Sequence, residues 1–497
     1  MSPFAIIIPI LSFFLQSYPR LFNKLFGVDV WTRLLETAHI RKNNHHIPQK
    51  KLSEQFIIEG YFDYPPVFPW ILSFIPPKTL LNFQGFIAPF FDSIQVLLIF
   101  SVTHYFTGNI GLSLLAQLMY ALTPMVALEN SYLTPRSLGY LNFSILTLSL
   151  LNFYYIHNPI YLYLGIIFGT FIFLTHRFAT QSYLFITIFF TYYLNTALFV
   201  QVFLVGFVLA VSLTKGYYLR VLKGHLYNIY FWICNLDYRF AHQVRGVLKK
   251  ETKTDWVGQI YRFLSVFSPV AVFGLNPWAI SGFLIVGAGY FNLINISPLF
   301  LTYAAWILFF YCFGVLVLKI KFLMPIGEGQ RYLEMATVPS SLLSAYLVFE
   351  SLSTRFSTVV VLGTTVLLIV NLVIILSVQI KGVIQDKNRS VTSELQQIFS
   401  YINKQKKPLR IVSVPHQNTT LLVYHTNAQV FVNADNPGLM KIQEVYPILT
   451  ISLKELAKKY SLTHALVRTS FATLKELGLK EKDVVYQSGD NLIVKLG

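Results

Sequence analysis

Apolar runs near the length that crosses a bilayer recur along most of this chain, and this repetition constrains its fold more than any other feature. They fall at about 4–22, 86–106, 110–128, 138–156, 262–276, 278–294, 299–323, 335–353 and 357–380, each close to what about 30 Å of hydrocarbon requires. A further apolar stretch over 160–213 is broken at Thr175, His176 and Arg177. It has room for two long spans or three short ones, and two, or two plus a re-entrant piece, are preferred. In hydrocarbon every backbone polar group must find its partner inside the protein, so such segments fold as helices. The expected fold is therefore an α-helical polytopic membrane protein with about 11–12 transmembrane helices, followed by a small C-terminal α/β soluble domain. The first run, PFAIIIPILSFFLQ, lacks both a basic start and a small-residue cleavage site. It reads as a retained first helix rather than a signal peptide.

Only 12% of the 497 residues are charged, against about 25% in ordinary soluble domains. The deficit is uneven: residues 385–497 hold 24 of the 61 charged side chains, 15 basic and 9 acidic. The chain thus divides into a transmembrane domain, 1–384, with a long first outer loop, 24–85, and a soluble α/β domain, 385–497, on the outer or lumenal side. In the tail, Arg410–Val414, Val430–Asn433, His464–Arg468 and Asn491–Leu496 read as short buried strands, and Ser452–Tyr460 reads as a helix capped by Ser452 and Glu455. The net charge of +17 is no nucleic-acid footprint, because most basic residues flank apolar spans. Cys234 and Cys312 form neither a disulfide framework nor a metal-ligand pattern.

The excess of Lys and Arg in short loops orients membrane proteins. The loop at 214–262 carries nine basic residues against three acids, which predicts that it is cytoplasmic while 24–85 and 385–497 lie outside. Within the first outer loop, Trp31, Leu34, Leu35 and Ala38 make an apolar stripe at helical spacing, suited to a helix in the membrane interface.

Few acidic residues lie outside the tail. Asp29, just after the first span, reads either as a helix N-cap or as a carboxylate that acts as general base, or coordinates a metal, for a lipid-borne substrate. Arg331, flanked by Glu328 and Glu334, fits a phosphate bidentately or snorkels from a helix end. Glu129 is a second site carboxylate or a helix terminator, Arg136 a donor-phosphate contact or an end-of-helix anchor, and Tyr332 a substrate contact or an aromatic-belt residue. His176 and Arg177 interrupt an apolar run, which makes them functional candidates unless they occupy a short turn. His45 and His46 have no third ligand at metal-like spacing.

The stretch GVDVWTRLLETAHIRKNNHHIP at 27–48 resembles the first outer loop of the C-type superfamily of membrane glycosyltransferases, and most closely the branch of the oligosaccharyltransferase catalytic subunit. Asp29, Trp31 and Ile47-Pro48 occupy that pattern's places, while Arg33 stands where His is commoner. ENSYLTPRSLGYLNF at 129–143 resembles the second outer loop, with Arg136, Ser137 and Gly139 matching but without the acidic pair. GEGQRYLEMATVP at 327–339 is similar to a late Arg-Tyr segment. The resemblance implies an integral, multi-pass enzyme, in a prokaryotic plasma membrane or a eukaryotic endoplasmic reticulum. It implies transfer of a sugar from a polyprenyl-phosphate carrier, dolichyl or undecaprenyl, to an extracytoplasmic acceptor, with membrane lipid as the other partner and no nucleic acid.

In those terms Asp29 is the catalytic base and Arg331, Glu129, Arg136 and Tyr332 bind substrate. The tail has no WWD-type motif and the second acidic motif is missing, which argues against oligosaccharide transfer to asparagine. A monosaccharide-phosphate donor and metal-independent chemistry are the more natural expectation, with a divalent metal left open as cofactor. Two other readings stand beside the enzyme: a transporter or flippase of lipid-linked sugars, and a structural subunit of a membrane complex.

Overall fold

A computed structural model describes residues 3–48, 53–58, 62–247, 273–291, 296–432 and 437–496. The span expected at 262–276 lies almost wholly outside them, as does Asn433 at the end of one expected strand. Among the described residues, four helices are long and apolar enough to cross a membrane: Pro3–Phe22, Pro77–Thr107, Pro298–Lys319 and Ser357–Ile384. Shorter apolar helices, Ile110–Ala121, Pro159–Thr175 and Pro277–Tyr290, accompany them. The protein is an integral, multi-pass, α-helical membrane protein with a small α/β region. Its chain falls into two compact units, one of Met1–Lys24, Phe83–Tyr218 and Lys253–Gln385, the other of Leu25–Asn82, Leu219–Thr252 and Asp386–Gly497.

The first unit is a helical bundle. Asn109, Asn158 and Ser297 each cap the helix that follows with a side-chain oxygen that accepts a free backbone N–H. The helix Arg136–Ile156 runs through the centre and is buried along most of its length, where Phe143 packs on Trp306 and Phe310. The helix Ser357–Gln379 is the opposite case, with Val359, Leu362, Val366, Ile369 and Val373 all exposed, as befits a surface whose solvent is lipid. Asp92, a mid-span carboxylate, accepts from Gln16 Nε2 at 2.6 Å and from the Tyr120 hydroxyl at 2.8 Å, which spares it the cost of an unpaired buried charge.

The stretch 160–213 contains three helices, Pro159–Thr175, Arg177–Tyr193 and Leu198–Leu213, the last bent by 115° against Tyr217–Cys234. His176 makes the first break, since its ring Nδ1 accepts from the Ala179 N–H at 3.3 Å and caps the second helix. This junction sits against Gly139, where a Cβ would come 2.6 Å from the His176 Cβ.

The second unit is built on a five-stranded sheet of β1 (Arg410–Val414), β2 (Gln429–Val430), β3 (His464–Arg468), β4 (Val484–Ser488) and β5 (Asn491–Lys495), in the order β2-β1-β3-β5-β4. β1 pairs in parallel with β2 and β3, whereas β5 runs antiparallel to β3 and β4. Val412, Val414, Ala465, Val467, Leu492 and Val494 pack with Leu453 and Leu456 of the helix Leu453–Tyr460. Ile411, Leu466 and Ile493, which alternate with them along the strands, are fully buried too, so the inner strands read as continuous apolar runs. At the β2 edge the first loop continues the sheet, with Ile57 N–H donating to Val430 O and Val430 N–H to Gln55 O, which covers an edge otherwise open to pairing.

Two expectations fail in this unit. Residues 242–245 lie against the tail: Gln243 Nε2 donates to Val445 O at 3.1 Å, Gln243 Oε1 accepts from His416 N–H at 3.0 Å, and Arg245 pairs with Glu476 at 2.7 Å. Residues 242–245 and the tail therefore lie on one side of the membrane. The helix Asp29–Lys42 is no interfacial helix, because Thr32, Arg33, Glu36 and Thr37 are buried along with Trp31 and Leu34. It is packed on more than its apolar stripe.

Candidate functional site

In the first unit, two chain segments bring charges together. One runs from the short helix Pro124–Glu129 through 130–135 to the start of Arg136–Ile156. Its turn is pinned by Arg20, whose Nη1 donates to Ser131 O at 3.3 Å. Gly85 leaves room for that side chain, since a Cβ there would meet Arg20 Cγ at 2.5 Å. The other segment follows the helix Pro298–Lys319 and reaches the short helix Gly329–Glu334 through Gly327, whose φ of 149° favours glycine. Close approach of the two helices depends on Gly314, where a Cβ would stand 2.7 Å from the Gly329 carbonyl.

Arg136 lies at the junction. Its Nη1 hydrogen-bonds Glu129 Oε2 and lies 3.5 Å from Glu334 Oε1, with the Arg136 and Glu334 side chains 3% and 4% exposed. Tyr132 donates to the same Glu129 oxygen at 3.3 Å. Arg331 Nε pairs with Glu328 Oε2 at 2.9 Å at the rim, where both side chains are about one third exposed. No described residue takes a hydrogen bond from the two Nη groups of Arg331. Tyr332 is buried, its hydroxyl donating to Ile326 O at 3.0 Å, its ring against Phe178 and Phe313 at 4.4 and 4.8 Å.

The electrostatics follow from this geometry. Enclosure opposes a charge on Glu129, but the Arg136 and Arg331 guanidiniums outweigh it and hold the carboxyl below its usual value. Burial pushes the Glu334 carboxyl up to about 7, with Arg136 working against that rise. Among the described residues no group of three His, Cys, Asp or Glu side chains is placed to hold a metal ion. Both Glu129 and Glu334 are engaged by Arg136 instead. Phe313, whose ring touches Tyr332, also lines a shallow, open apolar groove with Phe189, Leu308, Phe309, Cys312 and Leu316.

Of the residues singled out in the sequence, Glu129, Arg136, Arg331 and Tyr332 thus meet in one unit. Glu334 enters this cluster as a partner of Arg136 rather than of Arg331. Spacing could not have shown this, because Glu328 and Glu334 stand symmetrically three residues either side of Arg331. Arg20 carried no signal beyond being a charge at the end of a span.

Asp29 belongs to the second unit. It is the first residue of the helix Asp29–Lys42 and is exposed, with Val28 in the cap position. The preceding turn is held by the Gly27 N–H donating to Arg389 O at 2.8 Å and by a bridge of Phe26 to Ser390. Arg33 is occupied, 2.5 Å from Glu36 and with its guanidinium 3.5 Å from the Tyr64 ring centre. His45 stacks on Phe74 at 4.4 Å, and its ring Nδ1 is 2.7 Å from the Ser73 hydroxyl.

No protein-family profile matches the sequence, and no curated protein matches it either. Solved structures do. The oligosaccharyltransferase AglB of Archaeoglobus fulgidus, in complex with an inhibitory peptide and a dolichol-phosphate, is 9% identical, with a TM-score of 0.60 over 95% of this chain and 70% of that one. An Archaeoglobus fulgidus oligosaccharyltransferase in the apo form gives 12% identity and a TM-score of 0.62 over 93% of this chain and 69% of that one. ArnT of Cupriavidus metallidurans, bound to undecaprenyl phosphate, gives 13% identity and a TM-score of 0.54 over 99% and 96%. At these identities the likeness is one of fold: this chain shares the fold of AglB and ArnT.

Proposed function

We propose that this protein transfers a sugar from a polyprenyl-phosphate-linked donor to an acceptor on the extracytoplasmic or lumenal side. One observation carries the reading: an apolar groove and a guanidinium with open Nη groups are joined through Phe313 and Tyr332. A polyprenyl phosphate is a long apolar chain ending in an anion, and such a pairing suits both of its ends. Arg331 takes the phosphate, since a guanidinium matches its oxygens bidentately. Arg136, held between Glu129 and Glu334, adds positive charge near it. AglB and ArnT, solved with dolichol-phosphate and undecaprenyl phosphate, support the donor class.

In the transfer, the acceptor hydroxyl oxygen bonds to the anomeric carbon and its proton passes to the Asp29 carboxylate. The bond from that carbon to the phosphate oxygen breaks, and its electron pair leaves on the phosphate, where Arg331 stabilises the charge. This scheme requires a single carboxylate and no metal. Direct binding of labelled undecaprenyl and dolichyl phosphate to purified protein tests it. Arg331→Ala should weaken binding about 10- to 100-fold, the loss of a charge-assisted hydrogen bond. Equal binding by the variant, or no binding by the wild type, overturns the reading.

A further inference from the structure

The helix Tyr217–Cys234 has two faces that need different surroundings. One is turned inward: Val221, Gly224 and Phe231 are buried, and the Phe231 ring stacks on Tyr446 at 6.0 Å in the core that also holds Ile442 and Val445. On the opposite face Leu219, Leu226, Tyr230 and Ile233 are each at least half exposed. They stand seven, four and three residues apart, so they line up as one apolar stripe along the helix.

What precedes the helix indicates what covers that stripe. Leu198–Leu213 is an uncharged helix that exposes Leu204, Val208 and Leu213, as a segment facing lipid does. The chain then turns by 115° within three residues. Lys215 and Gly216 take positive φ at this corner, and Gly216 N–H donates to Val211 O at 2.8 Å while Tyr218 N–H donates to Thr214 Oγ1 at 3.1 Å. A helix that leaves an apolar span close to a right angle runs along the membrane plane, where an exposed apolar face meets headgroups and acyl chains. Charge agrees with this placement. From Leu198 to Leu236 the chain has no acidic residue, whereas Lys215 at the corner and Lys223 beside the stripe are exposed. Lys223 Nζ lies 5.7 Å from the Tyr227 ring centre, a cation beside an aromatic ring of the kind found at headgroup level.

We propose that the helix Tyr217–Cys234 lies on the membrane surface, with Leu219, Leu226, Tyr230 and Ile233 at the boundary of headgroups and acyl chains and with Lys215 and Lys223 at the phosphates of anionic lipid. The interfacial role that spacing suggests for Trp31 to Ala38 belongs to this helix instead. Because the core of the tail closes over Phe231, the same helix seats the tail on the lipid surface. Lys215 and Lys223 then mark a lipid-binding face rather than a side of the membrane. None of this depends on the transferase reading.

Fluorescent labelling of full-length protein in lipid nanodiscs tests this. Cys312→Ala leaves Cys234, exposed at the end of the helix, as the only thiol for an NBD label. Leu226→Cys in a background without both cysteines places a second label mid-helix, and Lys480→Cys, exposed in the tail, serves as the aqueous control. NBD at Cys234 and at Leu226→Cys should be quenched by phosphatidylcholine that carries a nitroxide at the headgroup end of its chain, and should be shielded from iodide. NBD at Lys480→Cys should behave in the reverse way. Phosphatidylglycerol with the same nitroxide should quench the helix labels more strongly than phosphatidylcholine, since each lysine at an anionic surface contributes about fivefold in affinity. Lys215→Gln combined with Lys223→Gln should remove that difference with unchanged monodisperse elution. Iodide quenching on the helix equal to that at Lys480→Cys overturns the proposal. Shielding from both quenchers overturns it too, because another protein surface, such as a second copy of this chain, then covers the stripe. Equal quenching by the two lipids before the lysines are changed overturns the assignment of Lys215 and Lys223 to headgroup phosphates.

Discussion

Arg136 and Glu334 stand 3.5 Å apart, both almost fully enclosed, while the same guanidinium binds Glu129. A buried cation shared by two carboxylates links the turn after one helix to the turn after another. Removing one partner of such a pair typically costs about 3–5 kcal/mol, because the other charge stays buried alone. Arg136→Ala should therefore lose stability on that scale.

The Glu334 carboxyl titrates at about 7 in the folded protein against a usual 4.5. Between those values the folded state holds a proton that the unfolded state has released, so stability falls as pH rises from about 4.5 to about 7 and is level beyond. Glu334→Gln should abolish that slope and be destabilised relative to the wild type less at pH 8 than at pH 5. Thermal unfolding in detergent from pH 5 to 8 measures it; parallel profiles for the two proteins would refute the assignment.

Filling the groove should separate chain recognition from phosphate recognition. Leu308 lines it and is half-buried, so Leu308→Trp should weaken binding of undecaprenyl phosphate by about tenfold, the loss of a few buried methylenes. A short-chain prenyl phosphate should bind the variant and the wild type alike. Equal losses for both ligands would mean that the groove does not hold the chain.

Asp29→Asn tests the base. Asp29 stands in the first helical turn, where its charge contributes about 0.3–1 kcal/mol through the helix dipole, so folding should be little affected. Transfer should fall by about 10²–10⁴-fold, the usual contribution of a general base, with donor binding unchanged. Activity at the wild-type level would remove Asp29 from the chemistry.

The shared side of the middle loop and the tail is open to labelling. In a background without Cys234 and Cys312, single cysteines at Val247 and Lys480, both exposed, should react with an impermeant maleimide from the same side of sealed vesicles. Labelling from opposite sides would contradict the hydrogen bonds of Gln243 to the tail.

Strands β1 and β3 were legible residue for residue, and so was the capping box of Ser452 and Glu455. Each is a local pattern of apolar runs or a three-residue spacing. β4 was not, because Val484–Ser488 is an edge strand with alternate side chains exposed, and nothing in VVYQS separates it from a loop. Orientation by basic residues failed for 214–262 because residues 242–245 of that loop fold against the tail. A charge count does not register packing.

What the sequence determined by itself is what solvent demands of each segment: long apolar runs must be helices in hydrocarbon, and the charged tail must build its own core in water. It also marked Glu129, Arg136 and Arg331 as costly charges near span ends. Only the tertiary structure decided which charges meet. Glu334 and Glu328 have equal spacing to Arg331, and the close approach at Gly314 and Gly329 sends one to Arg136 and leaves the other at the rim. Spacing along a chain specifies local geometry, whereas contacts between distant segments depend on how whole faces bury against one another.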